Sequence, residues 1–250
     1  MKTRSIAVYS LKGGVGKTTI SVNLAWSAAA LSSRKTLLWD LDGQAASTFL
    51  LGGANLGDED AQAVFARDVA PSRLIRPTGT AGLDLLPADA SLRQLDRFFF
   101  TLGKKKRLEK LLDRLAKDYE RIVLDCPPGL AETSEQVLRA ADLIIVPVIP
   151  SPLSQRAFEE VVEFLDRNDI RRGAAILPVY NMVDRRRSMH LAALEASPKW
   201  PVIPMASAVE AMSARQEAVG SFAPRSPAAV ALSGLWTAIE RRLARTPKDG

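Results

Sequence analysis

The chain has 250 residues, 47% apolar and 25% charged, and its 34 Lys and Arg against 28 Asp and Glu give a net charge of +6. That balance fits one large folded domain spanning 1–250, excludes a disordered chain, and contains no run approaching the roughly 18 apolar residues of a membrane span. One cysteine, Cys126, and one histidine, His190, exclude an intrachain disulfide and any Cys-rich or His-cluster metal site within one chain.

The first predicted element is a strand over 5–9. It opens into a glycine loop, and the early Gly13, Gly14 and Lys17 are unlike a signal peptide. A helix follows with Ile20, Leu24, Ala28 and Leu31 on one face. A strand over 36–39 ends in Asp40. The stretch 52–80, with scattered Gly, Asp and Pro, reads as a surface excursion. A strand over 83–86 stops at Pro87. Lys104-Lys105-Lys106-Arg107 reads as the start of an exposed helix whose Leu108, Leu111, Leu112 and Leu115 share a face. Strands over 121–124, 143–146 and 174–180 end in Asp125, Pro147 and Asn181. Phe158, Val161, Val162 and Leu165 mark the helix between the last two, and Leu232, Leu235, Trp236, Ile239 and Leu243 mark a final one. His190 reads as a surface or helix-packing residue.

These strands are continuous apolar runs, hence buried on both faces and parallel. Alternation with helices predicts an α/β, doubly wound, mostly parallel sheet with helices on both faces. Ligands of such sheets bind beyond the carboxyl ends of the strands. Asp40, Asp125 and Asn181 are therefore expected on one edge.

The strongest motif is Lys12-Gly13-Gly14-Val15-Gly16-Lys17-Thr18-Thr19, between a predicted strand and a predicted helix, the setting a phosphate-binding P-loop requires. Glycines let backbone N–H groups converge on phosphate oxygens, and the helix presents its positive end to the same anion. Lys17 supplies charge to the β- and γ-phosphates, and the Thr18 hydroxyl is placed to ligate Mg²⁺.

Lys12 is more than an ordinary P-loop needs. The Lys-Gly-Gly-x-Gly-Lys-Thr form is a deviant Walker A motif, and with it the sequence resembles the ParA/MinD family of P-loop ATPases. The resemblance implies that Lys12 reaches across a homodimer interface to the partner's ATP. Asp40-Leu41-Asp42-Gly43-Gln44 resembles the family's Asp-x-Asp-Pro-Gln segment, with Gly43 in place of proline and Ala46 where asparagine is common. By that resemblance Asp42 serves hydrolysis near the attacking water, and Asp40 lies near the Mg²⁺ shell. Asp125-Cys126-Pro127-Pro128-Gly129 looks like the Walker B equivalent, implying that Asp125 holds Mg²⁺ through water, Gly129 faces the γ-phosphate and Cys126 packs. Asn181-Met182-Val183-Asp184 resembles the segment whose Asn reads the adenine edge, implying ATP as the nucleotide.

The resemblance implies slow, partner-stimulated hydrolysis of ATP to ADP and phosphate, an adaptor or stimulating protein, and a role in positioning a plasmid, chromosome or protein cargo. The chain starts at its first strand, so no N-terminal helix-turn-helix domain is expected. ParA-like members bind nonspecific DNA, and MinD-like members bind membrane. The apolar stripe of the last helix reads as a core face rather than a membrane anchor, which favours DNA and a cytoplasmic, nucleoid-associated protein. Arg185, Arg186 and Arg187 form one candidate DNA cluster, and Arg241 and Arg242 another. Arg215 and Arg225 are further candidates. Other readings are a biosynthetic amide ligase on the same fold and a scaffold that binds ATP without cutting it. A reductase holding a [4Fe–4S] cluster is excluded, since one Cys per subunit gives two per dimer.

Overall fold

The computed structural model describes residues 3–53, 60–66, 69–102, 106–170 and 174–245. Strand β1 (Arg4–Val8) leads through the glycine loop into helix α1 (Lys17–Ser32), and β2 (Thr36–Asp40) leads into the short helix α2 (Ala46–Leu50). Helices α3 (Ala63–Ala66) and α4 (Pro71–Leu74) precede β3 (Arg76–Pro77) and β4 (Leu83–Leu86). A 3₁₀ turn (Ala90–Gln94) and helices α5 (Leu95–Leu102) and α6 (Arg107–Leu115) come before β5 (Arg121–Asp125). Then come α7 (Glu132–Ala140), β6 (Leu143–Val148), α8 (Pro152–Arg167), β7 (Ala175–Val183), α9 (Ser188–Ala196) and β8 (Val202–Pro204). Three single-turn helices, α10 (Ser207–Glu210), α11 (Met212–Arg215) and α12 (Val219–Phe222), lead to the long α13 (Pro227–Arg245).

Among the described residues the strands form one sheet of eight, ordered β3-β4-β2-β5-β1-β6-β7-β8. Every pairing is parallel except β3 with β4. The expected doubly wound sheet is therefore present. Its central strands are buried throughout, which is why they read as unbroken apolar runs. One face packs on α1 and α13, and the other on α5, α6, α7 and α8.

The stretch 52–80 is less peripheral than its composition predicts. Val64, Phe65 and Leu74 are buried in the core, and Phe65 stacks on Trp39 of β2 at a centroid distance of 5.5 Å. Those contacts are long-range, so no local period announces them. Arg107 also departs from expectation. Lys104 and Lys105 lie outside the described residues, but the Arg107 guanidinium is buried and donates to the carbonyls of Phe65 (2.9 Å) and Val64 (3.2 Å). It ties α6 to α3 instead of facing water. Leu31 is 52% exposed although the spacing put it on the buried face of α1. Helix α1 is enclosed on nearly its whole circumference up to Ala29, and its last turn is not. His190 is buried, and its Nδ1 accepts from the Asp184 N–H at 3.0 Å, a packing role at the start of α9.

Candidate nucleotide site

Strand β1 lies where the strand order reverses, between β5 and β6. The crevice beyond its carboxyl end is the ligand position of a doubly wound sheet, and the loop 10–16 fills it. Gly14 (φ 72°) and Gly16 (φ 87°) adopt left-handed backbone that other residues rarely take. Gly16 is the N-cap of α1 with no side-chain cap, so the first-turn N–H groups point at any anion seated there. A Cβ at Gly16 would collide with the amide of Asn181, whose Nδ2 donates to the Val15 carbonyl at 2.8 Å. Asn181 thus braces the loop; it lies two residues before the end of β7, which runs on to Val183 rather than ending at Asn181 as the apolar run suggests. That bond uses one of its two amide hydrogens and leaves its carbonyl oxygen free to accept.

Lys17 is buried, with Nζ 3.3 Å from the Lys12 carbonyl. Burial pulls its pKa below the ordinary lysine value, while the charges of Asp125, Cys126 and Asp42 push it back up. Lys12 extends toward the first turn of α8, its Nζ 3.5 Å from Ser154 Oγ.

Asp40 and Asp125 end adjacent strands in register and are fully buried. Burial, and then the charge of Asp125, push the Asp40 carboxyl up to about 7. Asp125 is raised by burial too, against hydrogen bonds from Ser47, Thr18 and Ser21. Asp42 is half-buried. Its Oδ1 accepts from the Gln44 N–H at 2.9 Å and its own N–H donates to Asp40 Oδ1 at 3.1 Å. Gly43 lies under the 3₁₀ turn: a Cβ there would sit 2.8 Å from Arg93 Cγ and 3.0 Å from Arg93 N. A proline at this position would bring its Cβ to the same contacts, so the turn would have to shift. Gly129 (φ 92°) has its carbonyl fixed by Tyr9 Oη at 3.0 Å and Ser134 Oγ at 2.8 Å. Cys126 is buried, its thiol pushed up by burial.

The structure therefore brings Lys12, Lys17, Thr18, Asp40, Asp42, Asp125, Gly129 and Asn181 to one sheet edge. The donor set suits a magnesium-bound triphosphate: amide hydrogens and two ammonium groups on one side, two buried carboxylates of raised affinity for a positive charge on the other. Sequence reasoning missed Ser21, Ser47 and Thr48, which hold the carboxylates. It also missed a mostly apolar cavity of about 130 Å³ beside the loop, bordered by Thr19, Asn181, Met182, Pro204, Met205 and Glu210. The strand β8 that builds part of it is three residues long and too short to show a period.

The arginine clusters fall at opposite ends of the sheet. Arg185, Arg186 and Arg187 follow β7 at the nucleotide edge, where Asp184 pairs with Arg186 (2.8 Å) and Arg187 (3.6 Å). Arg241 and Arg242 lie at the far edge. There the Leu243 carbonyl accepts from Arg4 at 3.4 Å, and Glu240 pairs with Arg121 at 2.6 Å. At about 3.3 Å per strand residue the five-residue β1 alone separates the two edges by roughly 16 Å. They do not form one patch.

The fold and this loop define a P-loop nucleoside triphosphatase. A family model described as an AAA domain matches residues 3–172, and the chain belongs to that family, as a ParA-type P-loop ATPase. The ParA family protein pGP5-D of Chlamydia psittaci is 31% identical over 164 residues, 64% of this chain and 62% of that protein. The sporulation initiation inhibitor protein Soj of Bacillus subtilis is 33% identical over 145 residues, 57% of each. The chain thus spans about three-fifths of the length of these relatives. Among solved structures, cobyrinic acid a,c-diamide synthase from Mycobacterium smegmatis with bound ATP analog and magnesium superposes with a TM-score of 0.82 at 26% identity, covering 98% of this chain and 97% of that one. An aspartate-to-alanine variant of Cyanothece McdA in complex with ATP gives 0.81 at 18% identity, covering 100% and 99%, a likeness of fold.

Proposed function

We propose that the chain is an ATP-driven switch that dimerises on Mg²⁺-ATP, binds nonspecific DNA in that state, and positions a plasmid, chromosome or protein cargo until hydrolysis resets it. The observation that carries this reading is the convergence of two lysines, Lys12 and Lys17, and three carboxylates, Asp40, Asp42 and Asp125, on one glycine loop. Solved relatives of the fold are described with ATP, an ATP analog or ADP and magnesium.

Lys17 and the loop amides bind the phosphates, and Lys12 adds charge to the nucleotide of a second copy. Thr18, Asp40 and Asp125 are the residues to hold Mg²⁺, which when bound neutralises charge on the phosphates. Asp42 orients the attacking water. Phosphoryl transfer passes through a loose transition state that needs positioning and charge neutralisation more than a strong base. Turnover is therefore slow, and a stimulating partner is expected to set it. The base lodges in the cavity beside Asn181, with the remaining amide hydrogen and carbonyl oxygen facing adenine.

DNA is favoured over membrane by α13. Its apolar residues Leu232, Leu235, Trp236, Ile239 and Leu243 are all buried against α1 and the sheet, leaving no apolar stripe to insert in lipid. No helix among the described residues is long and apolar enough to cross a membrane. A ligase reading is kept by the likeness to the mycobacterial synthase. The deciding experiment is retention on duplex DNA and on anionic liposomes with ATP, ADP or no nucleotide. Retention on DNA with ATP alone supports the proposal. Binding only to liposomes, or ATP turnover only with an amide donor, overturns it.

A further inference from the structure

Strand pairing fixes the backbones of Asp40 and Asp125 but not their side-chain rotamers. Like charges buried side by side repel, and each carboxylate oxygen removed from water needs a donor. The structure supplies several of these donors from one short helix, beside the Asp42 N–H, Thr18 and Ser21. Thr48 donates to Asp40 Oδ2 twice, from its N–H at 2.9 Å and its hydroxyl at 2.8 Å. Its neighbour Ser47 donates to Asp125 Oδ2 at 2.6 Å, and Ser21 of α1 donates to Oδ1 at 3.0 Å. Both α2 hydroxyls are buried. Helix α2 is itself anchored. The Ala88 N–H donates to Thr48 Oγ1 at 2.9 Å, and Gln216 Nε2 donates to the Phe49 carbonyl at 3.0 Å. It also follows directly from the segment that carries Asp42, the Ala45 N–H donating to the Asp42 carbonyl at 2.8 Å.

We propose that Ser47 and Thr48 are positioning residues: two consecutive hydroxyls of α2 hold the paired carboxylates in the orientation from which they receive magnesium. The inference rests on reading the site as one for Mg²⁺-nucleotide. It predicts a role in the affinity gained from the metal, separate from the affinity of the loop for phosphate.

The test is calorimetric titration of a non-hydrolysable ATP analog, in excess Mg²⁺ and in excess EDTA, into the parent and the Ser47→Ala, Thr48→Val and Thr48→Ser variants. The first two lose a hydroxyl, and the third keeps it. The Mg²⁺-dependent gain in affinity should fall about tenfold in Ser47→Ala and Thr48→Val, the lower range for loss of a group that orients a metal ligand. Affinity in EDTA should stay within about twofold, and Thr48→Ser should match the parent. A parental gain in either hydroxyl-free variant, or an equal loss with and without Mg²⁺, overturns the proposal while leaving the site reading intact. A parent that gains nothing from Mg²⁺ overturns both.

Discussion

Asp40 and Asp125 are register partners at the carboxyl end of the β2–β5 ladder, both fully buried, and β5 in turn pairs with the strand that carries the phosphate loop. Two acids in that position are costly unless a cation joins them. The pair, rather than either acid alone, is what the proposed magnesium-nucleotide reading of this edge rests on.

That cost has a pH signature. Burial, then Asp125, raise the Asp40 carboxyl to about 7. A raised acid binds its proton more tightly folded than unfolded. Its stabilising effect is complete below the ordinary carboxylate range and is lost as pH climbs through about 7. The Asn of Asp40→Asn does not ionise. Between about pH 5.5 and about pH 8 the unliganded parent should lose melting temperature relative to that variant. A gap that stays constant over this range would contradict the assignment.

Lys17→Ala should abolish useful nucleotide binding. Removing a buried ammonium proposed to bond phosphate is expected to cost about 3 kcal/mol, or about 100-fold in affinity. Unchanged affinity by titration would remove the loop from the account.

Gly43→Ala tests the packing of the segment that carries Asp42. The added Cβ meets Arg93 Cγ at 2.8 Å and its backbone nitrogen at 3.0 Å. Overpacking of this kind costs about 1–3 kcal/mol, or a fall of roughly 2–10 °C in melting temperature for a chain of this size. A variant as stable as the parent would show that the 3₁₀ turn is not seated on Gly43.

Asp40 and Asp125 were legible in the sequence because each ends an apolar strand, and Asn181 because it follows an apolar run near the end of one. Once the strands are parallel, Asp40, Asp125 and Asn181 must share an edge with the loop after β1. What supports them was not legible. Ser47 and Thr48 look like any small polar residues after a turn, and only the β2–β5 register sets them behind the two acids. The packing of Gly43 against Arg93 joins segments far apart in the chain. Arg185 and Arg241 look alike as members of basic clusters, yet one follows a strand's carboxyl end and the other lies toward the far end of α13.

The separation of the arginine clusters is itself testable. ATP-dependent DNA retention should weaken steeply with salt, in proportion to the phosphates neutralised. Replacing a cluster that touches DNA by alanine should lower that slope by about one for each phosphate no longer neutralised. Because the clusters sit at opposite edges, one duplex should respond to Arg185→Ala with Arg187→Ala or to Arg241→Ala with Arg242→Ala, not equally to both. A slope unmoved by either pair would place the DNA surface elsewhere.

In the proposed switch, a nucleotide held by Lys17 and the carboxylates joins two copies until Asp42 permits its hydrolysis. Light scattering of the Asp42→Ala variant with ATP, ADP or no nucleotide, each with Mg²⁺, tests it most directly. Twice the monomer mass is expected with ATP alone, persisting because turnover falls about 100-fold or more. Monomer mass under all three conditions while ATP is bound, or parental turnover in the variant, would contradict it.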